Sequence, residues 1–240
     1  MSIHAHPDDQ DFTVAGTLAK WARAGCDIIS VIITSGDAGS NDPDRSPEYK
    51  AELARVREQE QSQANAVLGV RDTVFMRYPD GELTPSLELR RDLTRLIRRH
   101  GPEVVITGDP TAWFYENDYI NHPDHRAAAT AALDATFPAA GQPNLFEELE
   151  AEGLKAHKPR KVYVTAWSAG EVYVNIEETI DLKIKALRAH QSQMRDWDPT
   201  EMIKTWAREA AKGKEMEYAE NYRVVTLVPD ADWEKTRGAV

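Results

Sequence analysis

Apolar and polar residues alternate along the first two thirds of the chain with two different periods. From Asp27 to Thr34 the sequence DIISVIIT is an almost continuous run of β-branched residues, which is typical of a strand buried on both faces of a parallel sheet. From Asp11 to Ala24 the apolar residues Val14, Leu18 and Trp21 recur at spacings of four and three, which predicts a helix. The two periods together predict alternating strands and helices.

Helix start and stop signals recur further along the chain. Two segments begin with a hydroxyl residue followed by proline and end at a glycine, as helices do: Ser46 to Gly69 and Thr84 to Gly101. Short apolar strands follow them at 73–77 and 103–107, and a further helix is predicted from Pro123 to about Phe137. Strand, helix and strand joined by short links imply right-handed crossovers and a parallel sheet.

The last part of the chain is less regular, with proline and glycine punctuating residues 138–159. It contains a short helical piece at 146–153, strands over KVYVTAW (161–167) and EVYVNI (171–176), helices over 178–190 and within 197–220, and a last strand at 222–228. We find no internal repeat and no low-complexity tract.

Charge and composition narrow the class of protein. The net charge of -11 and the pI near 5.1 argue against a nucleic-acid partner, which needs a basic face. Cys26 is the only cysteine, so any metal must be held by histidines and carboxylates. The chain lacks a run of about 18 apolar residues, and we predict a cytoplasmic protein without a membrane partner. Only Met1 to Ala5 precede the first polar cluster, and we expect the natural chain, or a relative, to begin further upstream.

Polar segments follow each of the first four predicted strands. Ligands of open α/β sheets bind at the carboxyl ends of the strands, so we expect these segments to meet at one rim. The fourth segment is preceded by a loop whose aromatic residues are either packing residues or a platform for a sugar ring. The segments are HAHPDDQ (4–10), TSGDAGS (34–40), YPDGE (78–82) and NHPDH (121–125), and the aromatic residues are Trp113, Phe114, Tyr115 and Tyr119.

Two of these segments share the sequence His-Pro-Asp followed by another potential ligand. Two histidines and one carboxylate, completed by water, are a familiar open zinc site where thiolates are absent. His122 and His125 lie three residues apart at a helix start and can face the same side, whereas Asp124 points away and suits a role behind the ligands. One His-Pro-Asp is explained well enough by a turn or a helix cap. Two of them at the ends of adjacent strands favour a metal site.

The order and spacing of the motifs resemble those of the LmbE-like, or PIG-L, family of zinc-dependent N-deacetylases. The resemblance implies a Rossmann-like three-layer α/β sandwich with a mostly parallel sheet and helices on both faces. It implies one deacetylase domain over residues 1–240, with a variable C-terminal part from about 196 to 240. The matching segments lie between about residues 3 and 195 and are AHPDDQ, GTLAKWARAG, the strand leading to TSGDAGS, VREQE with LGV, YPDGEL, HPDHRAA and HQSQ.

The resemblance also implies a metal site with a catalytic base. His6, Asp9 and His125 would hold one Zn²⁺ ion per chain, with Fe²⁺ or another divalent metal as the alternative. Asp8 would be the general base that takes a proton from the attacking water. The chemistry is self-consistent, because a metal polarises the poorly electrophilic amide and lowers the pKa of water toward ~7. A nearby carboxylate commonly contributes ~10²- to 10⁴-fold as a general base.

Four further residues receive roles from the resemblance. His122 would stabilise the oxyanion, at a gain on the order of 3 kcal/mol for one good donor, and would protonate the leaving amine. Asp124 would orient and tune His122. Arg57 matches an arginine that contacts substrate hydroxyls, and Asp80 matches another substrate-binding position.

The sequence departs from the family pattern at two positions. Gln10 stands where the family usually has glutamate, and we expect the amide to keep its hydrogen bonds while it removes a negative charge from the rim and shifts substrate preference. Some members have a tyrosine two residues before the first histidine of the second motif. Ile120 stands there, and Tyr119 or Tyr115 are candidates to replace it.

The predicted function is metal-dependent removal of an acetyl or other acyl group from the nitrogen of an N-acetylated amino sugar or glycoconjugate. Self-association into a homo-oligomer is compatible with the sequence. Three alternatives stay open. One is an amidase on a thiol-sugar conjugate that uses the same site, and another is an inactive sugar-binding homologue, which Gln10 favours. The third is a PHP-like metal phosphoesterase whose His-x-His pair is His4 and His6, which strand alternation would send to the same face.

Overall fold

The computed structural model describes residues 1–165 and 170–237, and in these ranges seven strands form one sheet and two short strands form a separate hairpin. The strands are β1 (Ser2–His4), β2 (Ile29–Thr34), β3 (Asp72–Tyr78), β4 (Val104–Thr107), β5 (Phe114–Tyr115), β6 (Tyr119–Ile120), β7 (Lys161–Thr165), β8 (Val172–Asn175) and β9 (Ala219–Thr226). Ala166 and Trp167, which end the predicted strand KVYVTAW, lie outside the described residues.

Helices connect most of these strands. They are α1 (Asp9–Thr13), α2 (Ala15–Arg23), α3 (Pro47–Leu68), α4 (Leu87–His100), α5 (Pro123–Thr136), α6 (Glu148–Ala151), α7 (Ile180–Leu187), α8 (Gln191–Met194), α9 (Thr200–Ala211) and α10 (Asp230–Arg237), with a 3-10 turn at Ala139–Gly141. None of the described helices is both long and apolar enough to cross a membrane.

The order of strands in the large sheet is β3-β2-β1-β4-β7-β9-β8. The first five of these pair in parallel, and β9 runs antiparallel to both of its neighbours. The chain leaves β1 toward β2 and β3 on one side and returns to β4 on the other. The connections therefore reverse direction between β1 and β4, and such a switch point is where open α/β sheets bind ligands.

Helices cover both faces of the sheet. On one face, α4 and α5 pack over Ile3, Val31 and Val105, which are fully buried. On the other face, α2 contributes Leu18 to a cluster with Ile106, and it also packs against α3 and α7. Alternate residues of a strand point to opposite faces, so the apolar runs of β2 and β4 supply both layers. The predicted three-layer sandwich with a mostly parallel sheet is confirmed.

The predicted helix from Asp11 to Ala24 is wrong in one respect, because it is divided into α1 and α2. The backbone N–H groups of Gly16 and Thr17 donate to the carboxylate of Glu220 at 3.0 and 2.8 Å. The first amides of α2 therefore bind a side chain from β9 instead of carbonyls of a continuous helix. Lys183 donates to the same buried carboxylate at 2.6 Å. The interruption depends on residues far along the chain, which a local pattern does not contain.

The helix start signals were right for α3 and two residues early for α4. Ser46 caps α3 by accepting the N–H of Tyr49. At α4 the cap is Ser86, whose hydroxyl accepts the N–H of Leu89 at 3.1 Å. The predicted Thr84 start lies in the preceding turn, because the serine offers a cap at the residue where the helical backbone begins.

Later elements differ more from the prediction. The segment 178–190 forms the shorter α7, and α8 follows it separately. In the segment 197–220 only α9 is helical, and the last strand begins at Ala219. The hairpin β5–β6 was not predicted, because its strands have two residues each and lack an alternating pattern.

Candidate metal centre

The buried face of α3 is polar near the switch point. Arg57, Glu60, Gln61 and Asn65 recur at helical spacing, and all four are buried. A helix face of this kind does not form an apolar core and instead supplies hydrogen bonds to the loop after β1. The local sequence of α3 thus positions the candidate site.

The three predicted metal ligands lie together at this point. The Nδ1 atom of His6 lies 3.4 Å from Asp9 Oδ2 and 3.1 Å from His125 Nε2. The Nε2 atom of His125 lies 3.0 Å from Asp9 Oδ1. One donor atom from each residue falls within 4.8 Å of the other two. Two imidazoles and one carboxylate are a donor set that suits a divalent metal, so these residues fit a metal ion.

Hydrogen bonds orient the ligand atoms. Asp9 Oδ2 accepts the backbone N–H of His6 at 2.8 Å. His125 Nδ1 lies 2.9 Å from Asn121 Oδ1, and the amide group of Asn121 donates to the carbonyl of Ala112. Because the oxygen of Asn121 faces the ring, Nδ1 of His125 carries the proton and Nε2 is left with a free lone pair. Sequence reasoning missed Asn121, although it directly precedes His122 in the motif.

The opposite nitrogen of His6 faces two other carboxylates. His6 Nε2 lies 3.0 Å from Asp80 Oδ1 and 3.4 Å from Asp124 Oδ2. Asp124 also accepts the N–H groups of Gly81 and Leu83, at 2.7 and 3.2 Å. Asp124 therefore contacts His6 and the turn after β3, whereas the resemblance implied that it orients His122. Both Asp80 and Asp124 lie on the side of His6 that faces away from Asp9 and His125.

Charge around His6 is balanced by these carboxylates. Burial lowers the pKa of His6, but the carboxylate of Asp9 and the hydrogen bonds to Asp124 and Asp80 outweigh it and raise the pKa. The pKa of Asp80 is lowered, because its contacts with His6 outweigh burial. Three acidic residues thus face the two nitrogens of the imidazole.

Asp8 lies beside the ligands in an unusual backbone conformation. Its φ of 90° is in the left-handed region, which non-glycine residues rarely adopt. Burial raises the pKa of its carboxyl group to about 6, against the opposing effect of the Arg57 guanidinium. A carboxylate with such a pKa is ionised at neutral pH and still basic enough to accept a proton.

Arg57 is buried and bonds to the protein itself. Its Nη2 donates to Asp8 Oδ2 at 3.1 Å and to the carbonyl of Pro7 at 2.8 Å, and its Nη1 donates to the carbonyl of Gly36. A Cβ at Gly36 would lie 2.2 Å from Nη1, so the TSGDAGS loop needs glycine there to pass over the guanidinium. Only 4 % of Arg57 is exposed, and its observed contacts fix the loop that carries Asp8.

His122 forms the outer wall of the site. Its ring stacks on that of His125 with centroids 5.0 Å apart, and the ring of Tyr119 stacks on its other side at 6.0 Å. Burial and the neighbouring His125 lower the pKa of His122. Tyr119 from β6 thus occupies the rim near His122, whereas Ile120 points to solvent. In the same loop Trp113 packs on the guanidinium of Arg126, 3.7 Å from its ring centroid.

The amide of Gln10 keeps its hydrogen bonds as predicted, but its predicted position on the rim was wrong. Its side chain is fully buried and does not lie on the rim. Its Nε2 donates to Asn65 Oδ1 at 2.5 Å, and its Oε1 accepts the hydroxyl of Ser30 at 2.8 Å. The side-chain amide of Gln10 is therefore needed both as a donor to Asn65 and as an acceptor from Ser30. Because it is fully buried, it has no direct access to a substrate.

His190 and His4 are both buried near the site. His190 Nε2 lies 2.9 Å from Asp11 Oδ2, so it braces α1 directly after the β1 loop. Burial lowers the pKa of His4 to about 4, which keeps its ring neutral. The groups of described residues that could hold a metal do not include His4, and the PHP-like alternative therefore lacks support.

Fold and site together define an α/β protein with a His₂-carboxylate group at the switch point of its sheet. The model of the family described as PIG-L, GlcNAc-PI de-N-acetylase, matches residues 1–136, and the chain belongs to this family. It is 30% identical over 230 residues to the diacetylchitobiose deacetylase of Thermococcus kodakarensis, covering 94% of this chain and 82% of that protein.

Two other relatives bear on the site. The structure of the N,N'-diacetylchitobiose deacetylase from Pyrococcus horikoshii matches with a TM-score of 0.81 at 28% identity, covering 95% of this chain and 85% of that one. The mycothiol S-conjugate amidase of Streptomyces coelicolor is 32% identical over 181 residues, or 68% of this chain and 59% of that protein. The predicted family, fold class and deacetylase class are therefore confirmed.

Proposed function

We propose that the chain hydrolyses the N-acetyl group of an amino sugar or a glycoconjugate, with one divalent metal ion held by His6, Asp9 and His125. The observation that carries this proposal is the convergence of three donor atoms within 4.8 Å from residues up to 119 positions apart. Zinc suits the donor set best, with Fe²⁺ as the alternative. When bound, such an ion polarises an amide carbonyl and lowers the pKa of a water molecule toward ~7.

Asp8 is the general base in this proposal. Its carboxylate is next to the ligand group, is held by Arg57 at 3.1 Å and has a pKa of about 6. It accepts a proton from the attacking water and can deliver it toward the departing nitrogen. His122 lines the same opening, and its ring can donate one N–H to the developing oxyanion.

The carboxylates of Asp80 and Asp124 hold His6 in this scheme. Both accept from the Nε2 side of the imidazole, so Nδ1 stays unprotonated and faces Asp9 and His125. The substrate contacts that the resemblance implied for Arg57 and Asp80 stay predictions.

An amino sugar is the favoured substrate because two relatives that match over most of their length are diacetylchitobiose deacetylases. Amide cleavage in a thiol-sugar conjugate is the second candidate, since a mycothiol S-conjugate amidase is 32% identical and the reaction needs the same groups. We propose one domain over residues 1–240, because β9, which lies after residue 196, is a strand of the large sheet. The variability of the part from about 196 stays a prediction. A cytoplasmic location and self-association stay predictions.

Substrate profiling with metal analysis tests the proposal. Purified protein is assayed on N-acetylglucosamine, diacetylchitobiose and a thiol-sugar amide, and zinc is quantified in the same sample. We expect acetate release, about one metal per chain, and loss of turnover in Asp8→Ala and His125→Ala with the fold retained. Asp134→Ala is the control, because Asp134 is exposed on the same helix as His125. Full activity in Asp8→Ala or His125→Ala would refute the mechanism.

A further inference from the structure

The backbone conformation of Asp8 must be stabilised by contacts with other residues. Its φ of 90° and ψ of −30° place it in the left-handed region, where the Cβ of a non-glycine residue is crowded by the backbone. Non-glycine residues keep such a conformation only where surrounding contacts fix it. Because Asp8 carries the proposed catalytic carboxylate, whatever fixes its backbone also fixes the direction of that carboxylate.

The carbonyl of Asp8 accepts the N–H groups of Asp11 and Phe12, and the contact to its own N–H comes from α3. The N–H of Asp8 donates to Gln61 Oε1 at 2.8 Å, and Gln61 is fully buried. The other end of the amide is also determined, since Nε2 donates to Asp11 Oδ2 at 2.9 Å and to Asn65 Oδ1 at 3.2 Å. Two acceptors on the nitrogen side leave the oxygen to face Asp8.

The acceptor behind Gln61 is itself fixed. Asp11 Oδ2 lies 2.9 Å from His190 Nε2, and both side chains have no exposed surface. A continuous buried chain of hydrogen bonds therefore runs from His190 through Asp11 and Gln61 to the backbone of Asp8. The hydrogen bonds that join His190, Asp11 and Gln61 lie between buried side chains, which strengthens their electrostatic interaction.

We propose that Gln61 is a positioning residue that holds Asp8 in its left-handed conformation and thereby aims its carboxylate at the reacting water. Arg57, one helical turn earlier on α3, holds the side chain of Asp8 and the carbonyl of Pro7. Gln61 fixes the backbone of Asp8 by accepting its N–H. This role rests on the proposed function of Asp8 as the base.

Kinetics of Gln61 variants separate positioning from binding. Gln61→Met keeps the length of the side chain and removes the acceptor, so kcat should fall about 10- to 100-fold, as expected for a misplaced catalytic group. KM and zinc affinity should stay close to the wild-type values. Glu60→Gln is the control, because Glu60 is buried on the same helix but bonds to Ser192 instead of Asp8.

Unchanged kcat in Gln61→Met, or an equal loss in Glu60→Gln, would overturn the proposal. Amide hydrogen exchange at Asp8 in the wild-type protein needs neither a variant nor a substrate. Slow exchange at this N–H, and its loss in Gln61→Met, supports the hold, and rapid exchange in the wild type overturns it. If exchange is slow but no amide is hydrolysed, the proposed function fails while the hold on Asp8 stands.

Discussion

The Nε2 atom of His6 lies 3.0 Å from Asp80 Oδ1, on the side of the ring opposite to Asp9 and His125. The imidazole of His6 thus contacts Asp9 through Nδ1 and contacts Asp80 and Asp124 through Nε2. A carboxylate behind a histidine ligand fixes the tautomer and raises the basicity of the nitrogen that faces the metal. Asp80 is placed to do this for His6, and Asp124 supports it.

We expect Asp80→Asn to weaken zinc binding by about 10- to 100-fold while one ion per chain is still bound. The asparagine oxygen can still accept from Nε2, but it lacks the charge that favours this tautomer. Competition with a chelator of known affinity measures the change, with Asp134→Asn as the exposed control. If zinc binding is lost in Asp80→Asn and kept in Asp9→Asn, the ion instead occupies the second group, formed by His6, Asp80 and Asp124.

Gln10→Glu should destabilise the protein without changing which substrate it prefers. A carboxylate can accept the hydroxyl of Ser30, but it cannot donate to Asn65, so two buried acceptors would face each other. An unsatisfied buried polar group costs about 1–3 kcal/mol, and a charged one costs more. Urea unfolding at neutral pH measures the loss. A changed ratio of kcat/KM between diacetylchitobiose and N-acetylglucosamine would show that the position acts on the substrate after all.

Lys183→Met should lower the free energy of unfolding by about 3–5 kcal/mol, because it leaves the buried carboxylate of Glu220 without its cation. The two amides of α2 that Glu220 accepts offset part of this cost. Lys185→Met is the matched control, since Lys185 is exposed on the same helix. Equal midpoints of urea unfolding for the two variants would contradict this account of the α1–α2 interruption.

His4→Leu should keep one metal per chain and should make the protein less sensitive to acid. In the folded state the pKa of His4 is about 4, against 6.5 for an unperturbed histidine, because of burial. The unfolded state therefore binds the proton first as the pH falls below 6.5, and folding stability is lost between pH 6.5 and 4. The wild type should lose about 2 kcal/mol more than the variant between pH 7 and 5. Urea unfolding of the metal-free proteins at the two pH values measures this difference.

The sequence predicted the rim of the sheet better than the contacts behind it. His6, Asp9 and His125, the ligands that the resemblance implied, belong to motifs at the ends of adjacent strands, and the strand order brings them together. The partners of Gln10 and Gln61 could not be predicted, because they come from other elements and depend on the angle at which α3 crosses the sheet. Likewise, the turn that binds Asp124 is distant in sequence, and the family role assigned to that residue did not anticipate it.

Secondary structure failed for the same reason at the α1–α2 interruption. The apolar spacing of Val14 and Leu18 is correct, since both residues are fully or almost fully buried. The spacing gives no information about Glu220. Its carboxylate accepts N–H groups in the first turn of α2 and thereby allows a new helix to start at Ala15. Boundaries set by hydrogen bonds between distant residues lie outside any local pattern.

The pairing of β1 with β4 links the two ends of the ligand group across a long stretch of chain. His6 and His125 are 119 positions apart, and they meet only after β4 has docked beside β1 and α5 has packed over both. A divalent ion at this point would therefore act as a cross-link between the first and second halves of the sheet. Since the unfolded chain has no such arrangement, metal affinity would add directly to folding stability, and the melting temperature would rise with metal concentration.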